Sequence, residues 1–137
     1  MVDPPGMRIG ALTISSARPQ ALGRFYSKLL SWPYLREEQP KPGNPVDTGF
    51  AITCPPEEGR GPALNFEYDP HYRRPTWPSV AGEQTIIQHL DIGVDDLEAA
   101  VAWAIECGAV PAELQPQPAH YRVLLDPEGH PFCLCQS

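Results

Sequence analysis

Apolar and polar residues along the chain follow two periods, and the switches between them mark out the elements. Arg8–Ser16 (RIGALTISS) has period two: Leu12 and Ile14 fall on one face, and Ala11, Thr13 and Ser15 on the other, as in a half-buried strand. Ala17–Ser31 changes to helical spacing. Leu22, Phe25, Tyr26, Leu29 and Leu30 make one broad apolar face there, Pro19 occupies the first turn, where a missing N–H costs little, and Pro33 stops the helix. Short strands are predicted at Tyr34–Glu38, Thr48–Cys54 and Ala63–Tyr68, separated by the turn-rich stretches PKPGNP and EEGRGP. In the last of them Leu64, Phe66 and Tyr68 share one face, and Asn65 and Glu67 the other.

Asp69–Gly82 (DPHYRRPTWPSVAG) has no period. An irregular stretch of that length inside a compact domain is a linker or a functional loop, and Tyr72, Arg73, Arg74 and Trp77 are placed to cover a pocket. The pattern then restarts. Thr85–Val94 reads as a strand with Leu90 and Ile92 on one face and His89 and Asp91 on the other. Asp95 is the expected helix N-cap, with Glu98 completing a capping box; Leu97, Val101, Ala104 and Ile105 form the apolar stripe and Gly108 closes the helix. Strands follow at Val110–Leu114, Tyr121–Asp126 and Phe132–Gln136, giving eight strands and two helices.

An offset of 78 residues lays the first strand–helix on the second: Leu12 on Leu90, Ile14 on Ile92, Ala21 on Ala99, Phe25 on Trp103 and Pro33 on Pro111. Each strand–helix is followed by three strands, so the order βαβββ occurs twice. The expected fold class is therefore α+β, one domain of two βαβββ modules, about 7–69 and 85–137, joined by a linker at about 70–84.

Composition narrows the partners. A length of 137 residues allows one domain with a real core, and 42% hydrophobic with 20% charged residues is the make-up of a globular chain. The formal charge of −7 has the wrong sign for nucleic acid or an anionic membrane. No apolar run reaches the roughly 18–20 residues of a membrane span, and MVDPPGMR lacks a signal-peptide layout, so a cytoplasmic location is expected. There Cys54, Cys107, Cys133 and Cys135 read as free thiols. No GxSxG elbow, Walker loop, dinucleotide glycine fingerprint or HExxH occurs.

The doubled βαβββ order, with HLDIGVDDLEAAVAWAIECGA in the middle and LLDPEGHPFCLC at the end, resembles the vicinal oxygen chelate superfamily. Its members include glyoxalase I, bleomycin- and fosfomycin-resistance proteins, methylmalonyl-CoA epimerase and extradiol dioxygenases. The resemblance covers nearly the whole chain, and DPEGHPF is its most specific part. It implies a curled sheet from each module and a pocket between them. Small members often pair, so a homodimer is expected. In metal-using members, ligands come from the first and fourth strand of each module. Mapped onto this chain, those positions are His89 and Cys133 in module two, and Ala11 and Asn65, with Glu67 two residues along, in module one.

Ala11 cannot bind a metal, so the implied site is incomplete. His89, Glu67 and Cys133 supply N, O and S donors, a set that suits zinc better than nickel, manganese or magnesium. Glu67 and His89 are the candidate catalytic groups; Ala11, Thr13, Asn65, Asp91, Cys133 and Cys135 line the pocket, with Tyr72 and Trp77 over its mouth. His89-Leu90-Asp91 also begins an H-x-D iron triad if His120 or His130 completes it, and Cys133 or Cys135 with His89 is a conceivable dyad. Two functions stay open. One is a small-molecule-binding protein that sequesters an apolar or aromatic compound. The other is a metal-dependent lyase, isomerase or dioxygenase acting on a small oxygenated substrate.

Overall fold

The computed structural model describes residues 3–39, 49–57 and 61–137. Module one runs β1 (Ala11–Ser16), α1 (Pro19–Leu30), β2 (Tyr34–Glu38), β3 (Phe50–Thr53) and β4 (Ala63–Tyr68). Module two runs β5 (Leu90–Val94), α2 (Leu97–Cys107), β6 (Val110–Pro111), β7 (Tyr121–Leu125) and β8 (Pro131–Gln136). The two four-stranded sheets have the same order, β1-β4-β3-β2 and β5-β8-β7-β6. In both, the first strand pairs parallel with the fourth and the remaining pairs are antiparallel. The α+β class and the doubled βαβββ order are as the sequence implies. Thr48 and the PKPGNP turn, together with residues 58–60 of the EEGRGP turn, lie outside the described residues.

Register makes the repeat concrete. Thr13 pairs with Asn65 in module one and Asp91 with Cys133 in module two, so the offset that aligns Thr13 with Asp91 also makes Asn65 the counterpart of Cys133. One pleat further on, Ser15 pairs with Glu67 and Gly93 with Cys135.

The helix ends differ in detail from expectation. α1 stops at Leu30 because Ser31 turns left-handed at φ 54°, and the amide of Trp32 folds back onto the Ser27 carbonyl at 2.9 Å. α2 is capped by Asp96, not Asp95: the Asp96 carboxylate accepts from the Ala99 amide at 3.0 Å. Gln136 in β8 supplies the rest, accepting from the Leu97 amide at 3.0 Å and donating to the Asp95 carbonyl at 2.6 Å. Glu98, expected in a capping box, pairs instead with Arg122 of β7. The buried stripe of α2 is Leu97 and Ala104, flanked by Ala100, Val101 and Cys107. Ile105 stands roughly 80° around the helix from Leu97 and is 47% exposed.

Two strands are shorter than their patterns. β5 begins at Leu90, so His89 stands one residue ahead of the ladder. β6 ends at Pro111, which has no N–H, and the Gln115 side chain takes over the pairing. It donates to the carbonyls of Ala112 and Val123 and accepts from the Val123 amide, at 2.8–2.9 Å.

The core joins the modules. Tyr26 stacks on Phe66 at 5.3 Å between centroids, Phe25 meets Tyr26 edge-on at 4.9 Å, and Phe132 of module two closes the cluster at 6.1 Å from both Phe25 and Tyr26. Gly23 allows α1 to lie this close to its sheet, since a Cβ there would sit 2.7 Å from that of Ala51. Within the core, the Tyr26 hydroxyl donates to Asp126 at 2.7 Å. Asp126 also accepts from the amides of Glu128 and His130 and from the His130 ring at 2.9 Å. The other ring nitrogen of His130 donates to the Ser15 carbonyl at 3.0 Å. Module one thus contributes Tyr26 and Ser15, and module two Asp126 and His130, to one buried polar network.

Candidate functional site

The strand faces opposite the helices carry the chemistry. In module one, Ala11, Arg36, Phe50, Ile52, Ala63, Asn65 and Glu67 line a recess of about 350 Å³. Its character is mainly apolar: Phe50 and Ile52 are two apart on β3, and the Arg36 guanidinium lies over the Phe50 ring at 5.3 Å. Asn65 donates to the Thr13 hydroxyl at 3.2 Å, which fixes its amide beside the recess. Of these residues only Ala11, Asn65 and Glu67 are marked by the sequence. Arg36, Phe50, Ile52 and Ala63 were missed, although the alternation of β3 places Phe50 and Ile52 on one face.

In module two, the ligand atoms of His89, Asp91 and Cys133 all lie within 4.8 Å of one another. The His89 Nε2 is 3.1 Å from the Cys133 sulfur and 3.3 Å from an Asp91 oxygen. Strand geometry explains the cluster. His89 and Asp91 are two apart and share a face, and the parallel register sets Asp91 directly beside Cys133. Asp91, expected as a pocket residue and, in the H-x-D reading, as a partner of His89, joins His89 and Cys133 here, while Glu67, expected beside His89 and Cys133, lines the recess of module one.

The electrostatics favour a protonated thiol. Burial, then the Asp91 carboxylate and the neighbouring Cys135, push Cys133 up to about 11. Cys135 is raised by burial and by Asp91 as well. At neutral pH Cys133 therefore stays a protonated thiol beside His89, and the dyad supplies no thiolate nucleophile. The Asp91 contact falls on the same imidazole nitrogen as the thiol, so the carboxylate does not orient the ring from its far side as a catalytic triad requires. Neither further histidine of the iron-triad reading belongs to the cluster. The His130 ring is committed to Asp126 and Ser15, and His120 sits exposed ahead of β7.

The three donors fit a borderline-soft divalent ion. Tetrahedral zinc, with bonds of about 2.0–2.3 Å, holds its ligand atoms roughly 3.5 Å apart, close to the spacings at His89. An ion would also displace the Cys133 proton, reversing the effect of burial and of Asp91. Asp91, with 74% of its side chain exposed, leaves one side of the cluster open to solvent.

The two residues expected over the pocket mouth have other surroundings. Tyr72 donates to the Glu128 carbonyl at 2.5 Å and packs on the His130 ring at 5.3 Å. Its phenol is raised, first by burial and then by Asp126 and Glu128. Trp77 is half-buried in the linker, where the Thr76 amide bonds the Gln84 carbonyl at 2.7 Å.

A family model for the glyoxalase-like domain matches residues 11–135, from the first residue of β1 to the last but one of β8. The chain belongs to the glyoxalase-like domain family. Solved structures show the same fold over nearly the full length. An antibiotic-binding protein, TnmS3, from Streptomyces sp. CB03234 is 17% identical, with 98% of each chain covered and a TM-score of 0.60. The trypanothione-dependent glyoxalase I of Leishmania major is 17% identical over 96% of this chain and 87% of its own, with a TM-score of 0.66. The fosfomycin resistance protein FosX of Mesorhizobium loti is 9% identical over 98% and 92%, with a TM-score of 0.60. No curated protein sequence matches. Within this family the present glyoxalase-like chain combines a largely apolar recess on one module with a His–Asp–Cys cluster on the other.

Proposed function

We propose that this glyoxalase-like protein binds and sequesters a small apolar or aromatic compound against the recess of module one. The observation that carries the reading is the recess itself. About 350 Å³ is walled by Phe50, Ile52, Ala11 and Ala63, with only Asn65, Glu67 and Arg36 as polar points, the usual composition of a small-molecule site. An aromatic ligand would stack on Phe50 and orient its polar edge on Asn65. The similar Streptomyces protein is an antibiotic-binding protein, which supports small-molecule binding on this fold. The test is calorimetric titration with a panel of planar aromatic compounds. Phe50→Ala should weaken a hit about tenfold or more, as loss of a stacking anchor does, while His89→Ala leaves it unchanged. Equal affinity in wild type and Phe50→Ala sinks the assignment.

A second reading rests on the His89–Asp91–Cys133 cluster: a zinc ion held there would act as Lewis acid in lyase or isomerase chemistry on a small oxygenated substrate. His89, Asp91 and Cys133 would hold the ion, and Glu67 of module one would be the candidate base. Elemental analysis of protein purified without chelator decides between the two. Stoichiometric zinc lost on His89→Ala favours the metalloenzyme; metal-free protein whose melting temperature ignores added Zn²⁺, Ni²⁺ and Mn²⁺ removes it. We also propose a homodimer, which sedimentation showing only monomer would refute. The free thiols Cys54, Cys107, Cys133 and Cys135 support a reducing, cytoplasmic setting.

A further inference from the structure

A second cavity lies where the modules and the linker meet. Ser15 from the end of β1 and His130 from the turn before β8 form its floor, and linker residues on either side of Trp77 form its walls. Its volume is about 130 Å³, roughly that of four liquid waters, or of a molecule with about four to six heavy atoms. Neither the aromatic-ligand recess nor the His–Asp–Cys cluster shares a lining residue with it.

The lining is rich in hydrogen-bonding side chains and carries one carboxylate, Asp69. Arg73, one of the few cations of an acidic chain, lines the cavity and makes no ion pair among the described residues. A guanidinium offers five N–H donors in a fork that matches a carboxylate. The side-chain amides of Gln84 and Gln88 add further donors. Asp69 is fixed by an Asx turn, with its Oδ1 accepting from the His71 amide at 2.8 Å, which leaves the second oxygen to accept from a ligand. The His130 ring is fully engaged with Asp126 and Ser15, so it serves as a rigid base and not as a ligand-binding group.

We propose that this junction cavity binds a small carboxylate carrying a hydrogen-bond donor on the adjacent carbon, a hydroxy or amino acid of about three carbons. The carboxylate pairs with Arg73 and the neighbouring hydroxyl or ammonium donates to Asp69. A pure oxyanion lacks the second contact and is repelled by Asp69. Because Ser15 and His130 come from different modules, the ligand would bridge them through the linker.

The test is isothermal titration of the full chain with sodium lactate, alanine, propionate and inorganic phosphate, with sodium chloride matched for ionic strength. Lactate or alanine should bind saturably. Propionate, the same three-carbon acid without the donor, should bind about tenfold more weakly or worse, because it leaves Asp69 unpaired. Arg73→Gln, at an exposed position that leaves the fold intact, should weaken the hit by a similar factor. Lactate and propionate binding equally, phosphate binding best, unchanged affinity in Arg73→Gln, or no saturable binding of either acid would each overturn the proposal. Phe50→Ala should leave this binding untouched, which separates its outcome from that of the aromatic recess.

Discussion

Tyr26→Phe isolates one contact in the polar network that joins the modules. The ring is fully buried and stacked on Phe66, so replacement by phenylalanine keeps volume and stacking and removes only the hydroxyl. That hydroxyl donates to Asp126 at 2.7 Å with no access to water. A hydrogen bond to a charged group is worth about 1.5–3 kcal/mol, and a buried acceptor deprived of it cannot turn to solvent. At about 2.1 cal/mol/K per residue the chain has an unfolding entropy near 0.3 kcal/mol/K, so a loss of about 2 kcal/mol lowers Tm by roughly 7 °C. The pH dependence gives a second signature. Burial, and after it Asp126, hold the Tyr26 phenol well above its ordinary value in the folded state. The folded protein therefore retains a proton that the unfolded chain gives up near pH 10. The associated stability is fully present below pH 10 and is lost as pH rises toward the folded value. Urea unfolding at pH 7 and at steps above pH 10 should show wild type losing stability more steeply than Tyr26→Phe. A cost under about 0.5 kcal/mol at pH 7, or identical alkaline slopes, would refute the reasoning.

Other outcomes follow from single contacts. Gly23→Ala should destabilise by about 1–2 kcal/mol, because overpacking against Ala51 outweighs the gain in helix propensity; a stabilised variant in chemical denaturation would show that α1 can shift outward. Asp96→Ala should cost about 1 kcal/mol and Asp95→Ala a few tenths at most, measured the same way, since of the two aspartates Asp96 alone puts its side chain on the α2 amides. Cys133 should react with iodoacetamide far more slowly than a free thiol at pH 8, because its value near 11 leaves little thiolate; mass spectrometry showing early labelling at this position would contradict the environment described.

How much was legible in the sequence depended on whether a contact was local. The apolar face of α1 and the alternation in β4 were readable because helix and strand periods put Leu22, Phe25 and Tyr26, and then Leu64 and Phe66, on single faces. The doubled topology followed from the repeat, and the strand registers match it: Asn65 pairs with Thr13 in module one as Cys133 pairs with Asp91 in module two. His89 and Cys133 were singled out, but Asp91 was not seen as their third partner, because its place beside Cys133 depends on the register between distant strands. The network through Tyr26, Asp126 and His130 was missed, since it joins residues 100 positions apart. Only the Asp and His of DPEGHP, spaced to close one turn, hinted at it. Asp95 and Asp96 are adjacent and chemically alike, and Gln136, which completes the α2 cap, comes from the far end of the chain.

The alternation of each strand separates what builds the fold from what the protein can bind. Residues turned toward the helices, such as Ile14, Phe66, Phe132 and Leu134, are tied into a core shared by both halves, where any change of volume is felt. On the opposite face Thr13 and Asp91 are exposed and Asn65 is half-buried. Substitution there leaves the architecture alone: Thr13 opposes Asn65 in one module, and Asp91 opposes Cys133 at the same place in the other. A duplicated scaffold of this kind can acquire two unlike surfaces without risking its folding. Exchanging the open-face residues of one module for those of the other should transfer binding chemistry while leaving the unfolding transition where it was.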